Sequence, residues 1–559
     1  MSNVLQFKKD YNTYLKLALE RAEKGDLAGA LGFLFSAKAI SNDYQILAKI
    51  ADVYAEMGVL ELSNKYWFYY LDKAPKEKQS VAIEELAINF FYMDEYIFSS
   101  YYFHKKLELD GYITKEGLDP EIIEFFSGEE MRKNAYHIAY PFDRADFSYD
   151  IRRGKRSLSV GDADSAVKIF SAIPSECLDE DGAGDFAIAL LMLERVDQAI
   201  VVARNSLEKH GDNVTAYCNL STAYDMKEDY GKSEYYYKKA KECAKGDKNE
   251  EYKIATCAIE RLDHMVVKDC LEKILKDRPH DLGMRFFYGV ALLNCGEVES
   301  AHEQFSKAYR LNPEEPVYKF FVNHSARLKD GAIEQSYTPL RYLKTLPEKV
   351  EEDWKKTIRE LINNPSKIPS AIKKDHVKEK LEWGVASIDR ELARECVYVL
   401  ATAFNPYAKS LMLQMLKNSE IESSTKRVIV FALVVGGYKE KFSVADANMF
   451  FKIKPAKLNC EKQPNGSLYL SAYALCLSRI AFFGEEKLEK LAKVTDKVYS
   501  KLKDKITHEE VSNEELASLI LLESKYQRFA SEMSVLSIFD VSREKLKILK
   551  KIYKGENND

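Results

Sequence analysis

The sequence predicts an all-α protein: an α-solenoid of helix hairpins over roughly the first 345 residues, then an irregular, solenoid-like helical region to residue 559. Three observations predict it. A fixed set of small and bulky residues recurs with a period close to 34. Helix breakers are sparse, with 24 Gly and 14 Pro in 559 residues, about 7% together against a usual ~12%. Strand-like alternation is confined to Lys441–Lys457, which allows a short β-hairpin or an extended loop.

In each copy of the repeat a small residue is followed at +12 by a second small residue, at +16 by a bulky one and at +19 by a small or apolar one. Before residue 113 the copies are Ala18, Ala30, Leu34, Ala37, then Ala51, Ser63, Trp67, Tyr70, then Ala87, Ser99, Phe103, Lys106. After residue 147 they are Gly154, Ala166, Phe170, Ile173, then Ala187, Ala199, Ala203, Ser206, then Ser221, Ser233, Tyr237, Ala240. Two more follow, Ala255, Val267, Leu271, Ile274 and Gly289, Ala301, Phe305, Ala308. Helices cross closely only where small side chains let the backbones approach, and a bulky residue four positions on lies on the same face and fills the space between hairpins. Lys24-Gly25-Asp26, Val160-Gly161-Asp162 and Cys295-Gly296-Glu297 read as the turns within hairpins, and Pro75, Pro279 and Pro313 as stops after second helices.

Over residues 11–113 and 147–315 this pattern resembles the tetratricopeptide repeat (TPR) family, whose unit is an antiparallel helix pair. The resemblance implies a superhelix whose inner wall, made by the first helix of each pair, binds a peptide or partner helix. Four segments are expected: N-terminal repeats at 1–113, an insertion or decayed repeat at 114–146, a second array with a capping helix at 147–345, and a C-terminal helical domain at 346–559. Asp119-Pro120 and Tyr140-Pro141 favour the insertion. Val317–Leu328 supplies the capping helix that an array needs over its last apolar face.

Beyond residue 346 the register is lost and no family resemblance is found, but helical periodicity continues. Helices are expected at Glu348–Asn363, His376–Ser387, Asp389–Phe404, Pro406–Lys417, Ser424–Val435, Leu468–Phe483, Glu486–Lys505 and Ser512–Phe529, with a shorter one near Val541–Tyr553. Asp389 and Ser512 are N-cap residues.

The net charge of −5 makes no case for nucleic acid or an anionic membrane as partner of the whole chain. Residues 346–559 carry 37 Lys+Arg against 31 Asp+Glu and residues 1–345 carry 46 against 57, which reads as two differently solvated surfaces. Met1–Asp26 holds no apolar run of signal-peptide length, and Val428–Val435, the longest apolar stretch, is too short to span a bilayer. Nine cysteines without CxxC pairs or metal-ligand spacing read as free thiols in a reducing cytosol.

Phosphate-cradling GxxxxGK[ST] and GxGxxG loops, GxSxG, HExxH and kinase motifs are all missing from the sequence, so the expectation is a non-enzymatic, cytoplasmic scaffold or adaptor without cofactor or metal. An alternative is a regulator that senses a peptide and acts through its C-terminal region, possibly on nucleic acid. Residues three before, one after and four to five after each small marker face the inner wall. They are Ile188, Leu191, Met192, Cys218, Thr222, Met226, Tyr252, Thr256, Phe286, Val290 and Asn294, a mostly apolar set that lacks the constellation of Lys, Arg and Asn with which some family members grip an acidic tail. In the runs Tyr66-Trp67-Phe68-Tyr69-Tyr70, Tyr101-Tyr102-Phe103 and Tyr235-Tyr236-Tyr237, one ring fills the space between hairpins while its neighbours turn onto other faces.

Overall fold

The computed structural model describes residues 10–114, 117–118, 147–159, 161–334, 338–387, 389–483, 488–507, 509–526 and 532–555. The chain forms two compact units, one of residues 1–109 with 345–559 and one of residues 110–344.

The first unit begins with three hairpins: α1 (Tyr11–Glu23) with α2 (Leu27–Ile40), α3 (Gln45–Glu56) with α4 (Leu60–Lys73), and α5 (Gln79–Tyr92) with α6 (Tyr96–Leu109). Asp10 caps α1 by accepting from the Thr13 amide, and Asp26 caps α2 through Gly29. Between them Gly25 takes the left-handed conformation, φ +74°, that ends α1 without a Cβ penalty. The markers Ala18, Ala30, Leu34 and Ala37 are buried, as are Ala51, Ser63, Trp67 and Tyr70.

The second unit opens with a two-residue antiparallel ladder, β1 (Ile113–Thr114) with β2 (Gly117–Leu118). The rest of the expected 114–146 insertion, with both of its proline pairs, lies outside the described residues. Five hairpins follow: α7 (Ser148–Ser159) with α8 (Ala163–Ser171), α9 (Glu180–Met192) with α10 (Val196–His210), α11 (Val214–Met226) with α12 (Tyr230–Cys243), α13 (Lys248–Glu260) with α14 (His264–Asp277), and α15 (Leu282–Asn294) with α16 (Val298–Leu311). The capping helix is α17 (Pro316–Lys329).

The offsets mark real close approaches. A Cβ on Gly289 would sit 2.6 Å from the Phe305 ring, and one on Gly154 would sit 2.5 Å from Phe170, each the bulky residue sixteen positions on. Ser221 donates to the Ser233 carbonyl at 3.0 Å across the next such crossing. These are TPR-like hairpins by their own packing. Helix α8 runs only nine residues before Ile173-Pro174, and a cavity of about 300 Å³ lined by Phe170, Leu178, Phe186, Val202 and Lys209 fills out this shortened repeat.

Residues 345–559 return to the first unit as helices α18 (Glu348–Asn363), α19 (Ile368–Ala371), α20 (Asp375–Val385), α21 (Arg390–Ala403), α22 (Pro406–Lys417) and α23 (Ser423–Val435). The hairpin β3 (Phe442–Asp446) with β4 (Met449–Ile453) comes next, and α24 (Gly466–Ile480), α25 (Leu488–Leu502), α26 (Asn513–Ser524), α27 (Glu532–Phe539) and α28 (Arg543–Lys554) complete the chain. Spacing and caps placed these helices within a few residues, except α19 and α27, helices of four and eight residues that sequence reasoning missed. The alternation at 441–457 is a hairpin, closed by Ala447 and Asn448, both at positive φ as a two-residue turn of this twist requires.

That hairpin and its neighbours rest on α4 and α6. Phe450 stacks on Phe68 with centroids 6.1 Å apart, Tyr102 donates to the Asn448 carbonyl at 2.8 Å, and Asp72 accepts from Ser443 at 2.5 Å and from Lys417 at 2.9 Å. Lys426, fully buried in α23, donates to the Ala445 carbonyl, and its burial lowers its pKa to about 8 even though Asp446 stands 3.5 Å away. As a result every residue from Leu62 to Leu71 is buried.

Candidate functional site: the inner wall of the second array

The first helices α9, α11, α13 and α15 stand in consecutive hairpins, so side chains at equal offsets from their small markers Ala187, Ser221, Ala255 and Gly289 form rows across the array. Five residues past each marker the row reads Met192, Met226, Glu260, Asn294. One residue past, it reads Ile188, Thr222, Thr256, Val290. Side chains from neighbouring helices link the rows: Thr222 donates to Glu260 at 2.7 Å, and the buried Asn219 amide donates to the Gly184 carbonyl at 3.0 Å.

The eleven residues assigned to the wall by spacing fall into three groups. Met192, Met226 and Tyr252 are 52%, 44% and 50% exposed, Thr256 is exposed, and Ile188 and Thr222 are half-buried. Together these six span α9, α11 and α13. Leu191 and Cys218 are buried beneath them, where a hydrogen bond with Cys257, together with burial, pushes the Cys218 thiol up. All nine cysteines are free. Asp185, half-buried on α9, has its carboxyl raised by burial against the opposing pull of Lys253 and Lys155.

The α15 end of the wall departs from expectation. Phe286 and Val290 are fully buried and offer no surface to a partner. The Phe286 ring packs against Phe305, Tyr318 and Phe321 at 5.7, 5.7 and 5.1 Å, so the capping helix α17 and helix α16 close over the positions that helical spacing assigns to the wall.

The same end is also crossed by a strap of the chain itself, residues 338–344, irregular backbone that bends at Tyr342. Asn294 grips the strap twice, donating to the Leu340 carbonyl at 2.9 Å and accepting from the Leu340 amide at 2.7 Å. Tyr342 is 7% exposed, with its hydroxyl 2.9 Å from His264 Nδ1 and its ring 6.5 Å from Phe287, two turns before Asn294 on the same face of α15. Burial holds His264 below the ordinary histidine value and raises the Tyr342 hydroxyl well above the usual phenol. Lys344 ends the strap on Glu315 at 3.0 Å. Spacing assigned Asn294 to the wall and gave no sign of His264, Phe287 or Tyr342 beside it. The available signal was Thr338-Pro339, a dipeptide that disfavours helix nine residues past the end of the capping helix.

Among the described residues no group of three or more His, Cys, Asp or Glu could hold a metal ion, and no helix is long and apolar enough to cross a membrane.

No family model matches the chain, and no curated protein matches it. Solved structures do. YrrB, described as a TPR protein with an unusual peptide-binding site, aligns at 20% identity and a TM-score of 0.23 over 27% of this chain and 78% of its own. A human IFIT1 dimer with PPP-AAAA aligns at 14% identity and a TM-score of 0.28, covering 78% of this chain and 88% of IFIT1. Yeast Tom70 aligns at 12% identity and a TM-score of 0.28, covering 88% and 97%. What those proteins bind is theirs.

Proposed function

We propose that this chain is a non-enzymatic scaffold that binds a protein or peptide on the inner wall of its second array, through Ile188, Met192, Thr222, Met226, Tyr252 and Thr256. The observation that carries the reading is the exposure of Met192, Met226 and Tyr252 on three consecutive first helices. Large apolar side chains exposed on successive elements are a recognition signature, and methionine repacks readily around a partner. Scattered surface apolars need no such explanation, but these three recur on one wall. Nine free thiols suit a reducing compartment, which agrees with a cytoplasmic site of action.

The test is affinity capture with mass spectrometry from the native lysate, using full-length protein beside the triple variant Met192→Glu, Met226→Glu, Tyr252→Glu. The expected result is a partner set retained by the wild type and lost by the variant at unchanged melting temperature. Identical partner sets would remove the wall from the function. A turnover assay with ATP or GTP is expected to be blank, and a rate abolished by one substitution in residues 346–559 would overturn the non-enzymatic reading.

A further inference from the structure

We infer that residues 338–344 are a resident peptide ligand, and that the α15 end of the wall takes an external peptide segment of the same chemistry, a residue read through its backbone followed two residues later by an aromatic ring. This rests on the reading of the inner wall as a binding surface and deepens it by naming the ligand class.

The grip is built for main chain. Asn294 offers one donor and one acceptor to the carbonyl and amide of the same residue, Leu340, the exchange that one strand makes with another. A helix cannot do this with its own backbone, whose amides and carbonyls are spent internally, so a side-chain amide is the means by which a helical wall pairs with a peptide segment. Such pairing ignores side-chain identity at the gripped residue. Selectivity comes two residues on, at Tyr342, where the chain bends and its ring is buried. There Tyr342 is enclosed by His264, Phe287 and Asn294, with its hydroxyl at hydrogen-bond distance from the imidazole.

The outward residues make the strap displaceable. Arg341, Leu343 and Lys344 are exposed, and between Asn294 and the Glu315 ion pair the strap is held at the Leu340 amide and carbonyl and at the Tyr342 ring and hydroxyl. Pro339 fixes its own φ, which lowers the ordering cost for this segment and for any ligand that shares it. A tethered ligand acts at an effective concentration in the millimolar range, so a free competitor meets a wall already filled, and weakening the tethered copy opens it.

The probe is the fluorescein-labelled octapeptide Thr-Pro-Leu-Arg-Tyr-Leu-Lys-Thr, the sequence of residues 338–345, titrated by anisotropy into the full-length chain. Tyr342→Ala in the chain is expected to bind it at least tenfold tighter than the wild type. Adding Asn294→Ala should abolish that gain. An octapeptide N-methylated at its leucine amide should bind at least tenfold more weakly, because Asn294 Oδ1 loses its donor. Equal binding by wild type and Tyr342→Ala, or full binding of the N-methylated peptide, overturns the inference. Should Tyr342→Ala melt early, Tyr342→Phe keeps the ring and removes only the His264 bond, and hydrogen exchange at the Leu340 amide of the wild type must accelerate when the octapeptide saturates it; failure of both also overturns it. Met226→Glu separates the two readings. It is expected to leave octapeptide affinity unchanged while losing captured partners, so a failed octapeptide result with capture still lost removes the strap inference alone, and the converse removes the open-wall reading alone.

Discussion

Helices α4 and α12 occupy the same place in their hairpins and both carry tyrosine runs, yet their surroundings are opposite. In α12 the marker-register ring Tyr237 is buried, Tyr235 is 56% exposed, and the two residues after the buried ring are Lys238 and Lys239. In α4 the register ring is Trp67, the two residues after it are Phe68 and Tyr69, and all of them are buried because β4 and its neighbours lie on that side. A helix apolar on one stripe buries one stripe, and a helix apolar all round needs cover all round. The repeat is therefore put to two uses. The first array spends the outer faces of its second helices α4 and α6 on residues 345–559, whereas in the second array α12 keeps Tyr235 wet and α9, α11 and α13 expose Met192, Met226 and Tyr252.

The largest expected effect tests the boundary between closed and open parts of the second array's inner wall. Phe286→Glu places a charge within a cluster of four rings and should cost roughly 5 kcal/mol or more, enough to unfold the second array. Met226→Glu, at a site already wet, should stay within about 0.5 kcal/mol. Circular dichroism melts of the two variants check this, and equal destabilisation would mean that the wall is closed along its whole length.

Next in size is the cover over α4. Phe68→Ala removes a buried ring stacked on Phe450 and should cost about 3–5 kcal/mol, whereas Tyr235→Ala in α12 should cost under about 0.5 kcal/mol. Comparable melts for the two would erase the contrast between the helices.

The shared hairpin geometry predicts an intermediate loss common to both halves of the second array. Gly289→Leu and Gly154→Leu each drive a side chain into a phenylalanine ring and should destabilise by roughly 1–3 kcal/mol through overpacking. An unchanged melt for either would show that the register is wrong in that hairpin.

These contrasts also show what was legible. Gly154 with Phe170 and Gly289 with Phe305 could be paired from spacing because close approach between adjacent helices is a local requirement. The caps at Asp389 and Ser512 and the alternation through Val444 and Phe450 were legible for the same reason. Burial of Phe286 was not, since a residue's offset within its own helix gives its direction but not that Tyr318 and Phe321 arrive from the capping helix. Tyr342 sits on an irregular segment, which has no helical period to betray its contact with Asn294 and His264. That residues 345–559 pack with 1–109 has no local signal, although the all-round apolar character of α4, with Phe68 and Tyr69 where α12 has lysines, was a usable hint that something covers it.

The smallest expected effect isolates the polar part of that cover. Asp72 is half-buried at the end of α4, held by the Lys417 ammonium at 2.9 Å and the Ser443 hydroxyl at 2.5 Å. Burial alone would raise its carboxyl, but Lys417 and the hydrogen bonds from Ser443 and Lys417, with Lys452 beyond, outweigh it and hold the group below the usual aspartate value of 3.8. A carboxyl depressed in the folded state contributes stability that is present above its unfolded value and is lost as pH falls through the folded one. Asp72→Asn keeps an oxygen for Ser443 and removes the charge facing Lys417, so it should cost about 1 kcal/mol at pH 7, and the gap to the wild type should shrink as pH is taken below 4. In the second array Asp197 lies 2.6 Å from Lys227, but both are exposed, and water screens the pair. Asp197→Asn should leave the melt unchanged at either pH. If the two variants behave alike, the ion pair on α4 is as solvated as the one on the open array, and the seating of residues 345–559 on α4 rests on its rings alone.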